Sequence, residues 1–339
     1  MEDVPSREPV QSLESERGLP KCIRRGSRPS DAQEGLQVNE HHPRIRVETE
    51  RGYVVIRDGL TFRFYMHRSH KGLGPAVLRM LNVFMRAVGP QGLATYPDRE
   101  GHWRRLDDDA WKRIRKELLE SDYPSVLLAS DSNGVSEFSF EYSGISLEDD
   151  WLSEYPGRSC VVTFQLTTEY LRQHGPGQVR ELALELASCL PFSSGYASLS
   201  FNALMDLVGV GRSVRSMCFR YPGMAVIEHI LWGNIGTRVT GAYWLTFLGP
   251  PVLGELGGVE GLRARLSSPG TTVQPLEDHR AVVTLGEWPE AGDLEAGDDL
   301  PAYRELARVL EPWLYHDASR VFDPNFPPED KLRWERRFL

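Results

Sequence analysis

Apolar and polar side chains alternate over residues 60–66, where every even position is apolar. This two-residue period is that of a strand with one buried face. A second β-rich run, residues 53–56, precedes it, and Asp58-Gly59 lies between the two. Because Asp-Gly is a preferred turn dipeptide of β-hairpins, we predict two short strands joined by a tight turn.

A second hairpin is predicted from residues 125–129 and 135–142, which flank the turn dipeptide Asn133-Gly134. In its second strand, aromatic side chains alternate with Glu137 and Glu141. One face of this strand should therefore pack into a core, while the other forms an acidic ridge. Further strands are predicted at residues 160–166, 196–201, 239–248, 271–273 and 281–285.

Apolar positions recur at helical spacing over residues 73–88, and Gly89-Pro90 follows as a stop signal. Residues 107–119 predict a more amphipathic helix that opens with three consecutive aspartates. The helix dipole favours carboxylates in a first turn, which explains these aspartates without a metal site. Two further helices are predicted at residues 177–190 and 300–314.

The order strand, helix, strand occurs on both sides of residue 157. We therefore predict an α+β fold with antiparallel or mixed sheets and packed helices, and the recurrence suggests two similar α/β halves. The halves would span residues 44–157 and 158–321. Residues 1–43 are polar and aperiodic and predict a disordered tail, and residues 322–339 predict a charged C-terminal tail.

The net charge of the chain limits the kinds of molecule that it is expected to bind. The 339 residues include 39 basic and 48 acidic side chains, for a net charge of -9. This balance argues against binding to nucleic acid or to an anionic membrane surface. No apolar run reaches the roughly 20 residues of a membrane span, and the N-terminus lacks an apolar signal core. We therefore predict a cytoplasmic protein with no nucleic-acid or membrane partner.

Acidic side chains concentrate in two regions that contain no Lys or Arg. Residues 117–157 hold ten acids, and residues 281–303 hold six in a Gly- and Pro-rich stretch that predicts a loop. We predict contact with a basic partner, because such surfaces speed association and favour the matching partner. Ordinary solvated surface is the alternative for the first region, and a flexible insertion is the alternative for the second. The predicted contact residues are Glu137, Glu141, Glu148, Asp149, Asp150, Glu287, Glu290, Asp293 and Glu295.

Sequence motifs for catalysis are absent. There is no G-x-S-x-G, H-E-x-x-H, C-x-x-C or phosphate-loop motif, and the four cysteines lack metal-ligand spacing. Asp323, Glu329 and Lys331 resemble a nuclease's acid and lysine pattern, but their Pro-rich spacer excludes the rigid hairpin that such a metal site needs. We predict no cofactor, metal or small-molecule substrate. An enzyme with a site near His229 is kept as an alternative.

Glycine, proline and large aromatic residues interleave at high density over residues 219–266. Four pieces stand in order, namely Tyr221-Pro222-Gly223, residues 241–246 around Trp244, Leu248-Gly249-Pro250 and Gly257-Gly258. With these pieces, the chain resembles the type VI secretion immunity family whose members neutralise VRR-Nuc and related restriction-endonuclease-like effectors.

The resemblance implies an immunity protein, which is not an enzyme. It would bind a cognate nuclease toxin of the PD-(D/E)xK type in the cytoplasm and block its DNA-binding or active-site cleft. The resemblance supplies no contact residues, so the acidic positions above rest on charge alone. An enzyme of unknown reaction and a structural or adaptor subunit stay open as alternatives.

Overall fold

The computed structural model describes residues 42–148, 157–227, 234–316 and 326–339. The strands are β1 (Arg46–Glu48), β2 (Val54–Met66), β3 (Thr95–Pro97), β4 (Trp103–Arg105), β5 (Ser125–Ala129), β6 (Ser139–Ser143), β7 (Cys160–Thr167), β8 (Ser194–Ala203), β9 (Ala225–Val226), β10 (Leu245–Leu248), β11 (Thr271–Leu276) and β12 (Arg280–Leu285). The helices are α1 (Gly74–Val88), α2 (Asp108–Glu120), α3 (Thr168–Ser188), α4 (Val210–Cys218), α5 (Val252–Glu255), α6 (Gly258–Arg263), α7 (Pro301–Leu310) and α8 (Pro328–Glu335).

The strands form one sheet in the order β11-β12-β10-β8-β2-β7-β6-β5-β3-β4. In addition, β1 pairs with β2, and β9 pairs in parallel with β8, whereas the other pairs are antiparallel. Helices pack against this sheet, so the predicted α+β class is confirmed. Strands from both sides of residue 157 are hydrogen-bonded neighbours, because β2 lies between β7 and β8. The domain boundaries themselves stay a prediction.

Strand β2 is continuous over 13 residues and lies near the centre of the sheet. The predicted hairpin turn at Asp58-Gly59 is therefore wrong. The Asp58 carboxylate accepts hydrogen bonds from the Ile45 backbone N–H (2.8 Å) and the Thr168 hydroxyl (2.5 Å). A Cβ on Gly59 would lie 2.2 Å from Nδ2 of Asn202. Here glycine permits close packing within a strand, which is its other common role in sheets.

One face of the sheet carries an aromatic core that contacts α1. Phe62, Phe140 and Phe164 are fully buried on β2, β6 and β7. The ring centroid of Phe164 lies 4.8 Å from that of Phe84 in α1 and 5.3 Å from that of Phe140. The apolar stripe of α1 therefore faces the sheet. Burial of each such side chain contributes about 1.5–3 kcal/mol.

The opposite face of the sheet is polar along one row. Strand register places five residues side by side across the sheet, namely Glu141 of β6, Thr163 of β7, Arg63 of β2, Tyr196 of β8 and Thr246 of β10. The two faces therefore differ sharply in polarity, and the acidic side chain of this row belongs to the first acidic region.

Helices α1 and α2 confirm the predictions made from periodicity. The Asp107 carboxylate accepts a hydrogen bond from the Ala110 N–H (2.8 Å) and caps α2, and the next two aspartates lie in the first turn. Helix α3 begins earlier than predicted, at Thr168, and passes a kink at Gly175, where φ is 75°. Helix α4 lies in a stretch for which the sequence pattern predicted no helix.

Strand β10 is shorter than the predicted strand over residues 239–248. The Thr246 hydroxyl accepts from the Tyr243 N–H (3.0 Å) and donates to the Tyr243 carbonyl (3.1 Å), so the chain turns before β10. After β10, a Cβ on Gly249 would lie 2.4 Å from the Phe192 carbonyl oxygen. The short helix α5 begins at Val252, and Gly257, with φ 86°, follows it.

Helix α8 lies within the stretch predicted as a charged tail, of which residues 322–325 are outside the described residues. Trp334 is buried in it. Just beyond, Arg337 donates from Nε to the Pro222 carbonyl (2.8 Å), and its guanidinium lies 5.3 Å from the Tyr243 ring centroid. One arginine thus joins two pieces of the Gly-, Pro- and aromatic-rich stretch.

Candidate partner-binding surface

The first acidic region is carried by β6 and its flanking loops. Glu137 is exposed in the loop before β6, Glu141 is half-buried on the polar face, and Glu148 is exposed. The Glu148 carboxylate lies 4.0 Å from Nζ of Lys71, an exposed pair that adds little stability. Two predicted contact residues lie outside the described residues, Asp149 and Asp150. The carboxylates of Glu137 and Glu148 are accessible to a partner.

Glu141 is electrostatically linked to Arg63 on the polar face of the sheet. Arg63 is 3% exposed, and its Nε has no hydrogen-bond partner among the described residues. Burial opposes the charge, but Tyr65, Tyr196 and Glu141 outweigh it and raise the pKa of Arg63. The guanidinium therefore stays charged, and Glu141 partly neutralises it.

The second acidic region is a loop between β12 and α7, as predicted. Asp293 accepts two hydrogen bonds from Arg220, from Nε (2.8 Å) and from Nη2 (2.5 Å). Glu295 also pairs with Arg220, at 2.6 Å. Hydrogen bonding from Arg220 lowers the pKa of Asp293. Two predicted contact acids therefore pair with Arg220, although the Glu295 side chain is still 69% exposed. Glu287 and Glu290 are exposed as well.

Backbone hydrogen bonds attach this loop to the Tyr221-Pro222-Gly223 piece. The Gly223 N–H donates to the Ala291 carbonyl (2.8 Å), and the Leu294 N–H donates to the Arg220 carbonyl (3.0 Å). A Cβ on Gly223 would lie 2.0 Å from the Glu290 carbonyl oxygen, so glycine is needed for this approach. These contacts give the loop a defined path along the Tyr221-Pro222-Gly223 piece.

The two acidic regions belong to different parts of the sheet. The first is carried by β6 and the second follows β12, with β10, β8, β2 and β7 between them. At about 4.8 Å per strand step, β6 and β12 are roughly 24 Å apart. A partner that contacts both regions must therefore span a wide surface.

The residues considered for metal binding and catalysis lie only partly within the described structure. No group of three or more His, Cys, Asp or Glu in the described part of the chain is placed to hold a metal ion. Glu329 and Lys331 lie on α8, whereas Asp323 and His229 are outside the described residues. None of the described helices has the length and apolar character of a membrane span.

A buried chain of hydrogen bonds runs from Leu118 through His70 to Tyr142, and the buried Cys160 thiol donates to the Arg68 carbonyl (3.3 Å). Nδ1 of His70 lies 2.7 Å from the Tyr142 hydroxyl, and Nε2 lies 3.0 Å from the Leu118 carbonyl. Burial raises the pKa of Cys160 and lowers that of His70. A nucleophilic cysteine needs a lowered pKa, which Cys160 lacks. These hydrogen bonds therefore have a structural role and connect α2 to the sheet.

Two exposed aliphatic side chains lie in the loop between β8 and α4. Leu207 is 44% exposed and Val208 is 104% exposed. The sequence pattern does not distinguish them from buried residues, because they lie in a short apolar run.

Arg220 was likewise not predicted as the partner of the acidic loop, since no sequence signal links it to Asp293.

Residues 76–338 match the family model TsiV, described as type VI immunity for VRR-NUC. A search of curated proteins gave no match. Among solved structures, a Pseudomonas aeruginosa T6SS protein, PA0821, has a TM-score of 0.71 and 20% sequence identity, and the match covers 88% of each chain. That likeness shows a shared fold. The family indicated by the sequence pieces is confirmed, and this chain belongs to the TsiV family of type VI immunity proteins for VRR-NUC.

Proposed function

We propose that this protein binds a VRR-NUC effector in the cytoplasm and covers the effector's DNA-binding or active-site cleft. The family match over residues 76–338, which contains both acidic regions, carries the proposal. The partner would be a PD-(D/E)xK-like nuclease. The protein would act by occupying the cleft, without catalysis and without a nucleic acid, membrane or small molecule as partner.

Charge supports this way of blocking the enzyme. A nuclease is basic where it holds DNA phosphates, so carboxylates of an inhibitor can occupy the same positions. A stable complex buries roughly 1,600 Å², so neighbouring side chains must join these acids in the contact. Glu137, Glu148, Glu287 and Glu290 are exposed, and no ion pair with Arg220 is described for them.

Isothermal titration calorimetry against a catalytically inactive nuclease from the adjacent gene tests the proposal. We expect one-site binding in the nanomolar range. Glu137→Lys/Glu148→Lys should weaken binding at least about tenfold, with most of the loss in the association rate. The control Glu260→Lys/Glu277→Lys makes the same change in net charge at exposed sites on α6 and beside β11, and it should bind normally.

Plasmid cleavage by the active nuclease provides the functional readout. The unaltered protein should stop cleavage at a one-to-one ratio, and the acidic-region variant should need an excess. If Glu137→Lys/Glu148→Lys binds as tightly as its control and the unaltered protein, the first acidic region is not in the contact. No binding by the unaltered protein would overturn the proposal.

A further inference from the structure

Three loops meet at the end of the sheet where β2 begins. They are residues 49–53 between β1 and β2, residues 130–138 between β5 and β6, and residues 204–209 between β8 and α4. The Val135 N–H donates to the Val54 carbonyl (2.8 Å), and the Leu204 N–H donates to the Val55 carbonyl (3.0 Å). Two loops that are distant in sequence are therefore fixed to consecutive residues of β2.

Aliphatic side chains project from one of these loops into solvent. Val208 is 104% exposed and Leu207 is 44% exposed; we name this pair the apolar tip. Tyr53, in the neighbouring turn, is 46% exposed. The Leu207 N–H donates to the Leu204 carbonyl (3.0 Å), and the Val210 N–H donates to the Leu207 carbonyl (3.1 Å). The tip is thus held on hydrogen-bonded turns, which reduces the entropy lost when it binds a partner.

The apolar tip contributes no burial to the fold. A side chain as exposed as Val208 leaves its apolar area in water, where it gains nothing from the hydrophobic effect. Insertion of such a side chain into a partner's pocket removes this apolar area from water and stabilises the contact. A few side chains buried near the centre of a contact supply most of its binding free energy.

The three loops carry more acidic than basic side chains. The three loops, all of them described by the structure, carry Glu50, Asp131, Glu137 and Asp206 and one cation, Arg51. An apolar centre with a polar rim is the usual anatomy of a protein interface. An acidic rim selects a basic partner, so this end of the sheet fits a basic protein surface with an apolar pocket.

We propose that this end of the sheet is the centre of the contact with the nuclease, and that Leu207 and Val208 insert into an apolar pocket beside its basic cleft. This inference rests on the proposed function. It adds the apolar tip as an anchor and places the contact at the first acidic region instead of the second. Glu137 lies in the same group of loops as the tip, whereas Asp293 and Glu295 in the other region already pair with Arg220.

Leu207→Ser/Val208→Ser tests the tip, and Leu294→Ser is its control. Leu294 is 42% exposed in the other acidic region, so both variants remove exposed aliphatic area. Both should retain the unfolding midpoint of the unaltered protein. By calorimetry against the inactive VRR-NUC nuclease, the tip variant should bind at least about 30-fold more weakly, and the control within about threefold. Val208→Leu, which keeps an aliphatic anchor, should bind within about tenfold of the unaltered protein.

The outcomes separate the two proposals. If the unaltered protein binds the nuclease and the tip variant binds equally well, this inference is overturned while the proposed function stands. If the unaltered protein does not bind, both are overturned. Size-exclusion chromatography tests the other occupant, a second copy of this chain. A dimer that the tip variant converts to a monomer, with nuclease binding unchanged, would also overturn the inference.

Discussion

Arg220 binds Asp293 across 73 residues of sequence, with Nε 2.8 Å from Oδ1 and Nη2 2.5 Å from Oδ2. This fork geometry is the preferred arrangement of arginine with a carboxylate. It connects the end of α4 to the acidic loop that follows β12. Some acids of that loop therefore help to hold it in place, whereas others face solvent.

We expect Arg220→Met to loosen the acidic loop. The substitution keeps an unbranched apolar stem but removes both hydrogen bonds, so the free energy of unfolding should fall. Hydrogen exchange at the Leu294 and Ala296 amides should become at least about tenfold faster. Mass spectrometry of peptides from residues 286–300 measures this change.

Arg86→Met is the matched control for the loop, because it removes an exposed ion pair with Glu185 far from the acidic region. Its exchange in residues 286–300 should equal that of the unaltered protein. If Arg220→Met also leaves exchange unchanged, the backbone hydrogen bonds of Leu294 and Gly223 hold the loop without the arginine.

His70 should make stability depend on pH. Its Nε2 faces the Leu118 carbonyl, which accepts but cannot donate, so the neutral ring carries its proton there. Burial lowers the pKa of His70, so below pH of about 6.5 the unfolded chain binds a proton more readily than the folded chain. The stability due to neutral His70 is complete above that pH and is lost as the pH falls through the folded-state pKa.

Urea unfolding at pH 7.5 and 5.5 tests the role of His70. The unaltered protein should lose about 1 kcal/mol more than His70→Gln over this interval, because the variant lacks the titrating group. His102→Gln removes an exposed histidine and should behave like the unaltered protein. An equal pH dependence in His70→Gln would assign the effect to other groups.

Gly59→Ala should destabilise the centre of the sheet. The added Cβ would meet Nδ2 of Asn202 at 2.2 Å and the Leu166 carbonyl oxygen at 2.7 Å. Overpacking at a buried strand should cost about 2–3 kcal/mol or more in the free energy of unfolding. Gly177→Ala in α3 meets nothing within 4 Å and should be neutral or stabilise by about 0.5–1 kcal/mol. A loss below about 1 kcal/mol at Gly59 would contradict close packing there.

Arg337→Lys should weaken the junction between the C-terminal helix and the Gly-rich stretch. Lysine keeps the charge but loses the Nε bond to Pro222 and the planar contact with Trp334, whose ring centroid lies 4.1 Å away. We expect a loss of about 1–2 kcal/mol by chemical denaturation. Arg336→Lys changes an exposed neighbour and should be close to neutral. Equal midpoints for the two variants would show that charge alone suffices at Arg337.

Local interactions made part of this fold predictable from sequence. The apolar period of α1 and the aspartates that open α2 act within one helix, so spacing alone indicated both. Helix α4 carries Val210, Val214 and Cys218 at helical spacing, but its nine residues give too short a pattern to stand out. The role of Asp58-Gly59 was unpredictable, because the same dipeptide suits a turn or a close contact, and its neighbour Asn202 is remote in sequence.

The candidate surface was predictable only as charge. Runs of acids are visible in a sequence, and both regions lie at the surface in part. Whether an acid is accessible depends on tertiary partners such as Arg63 and Arg220, which sequence spacing does not reveal. The exposure of Val208 is equally non-local, because it follows from how the loop is attached to β2.

The position of β2 between β7 and β8 also limits how early during its translation this immunity protein can complete its sheet. β2 is complete at Met66, yet its partner strands end at residues 167 and 203. At 5–20 residues per second, roughly 7–27 s separate translation of Met66 from translation of residue 203. Until residue 167 is made, the nascent chain exposes an apolar strand with neither β7 nor β8 beside it, and until residue 203 it still lacks β8. A ribosome that stalls before residue 203 therefore leaves a cell without a complete sheet centre, and incomplete chains should give no immunity.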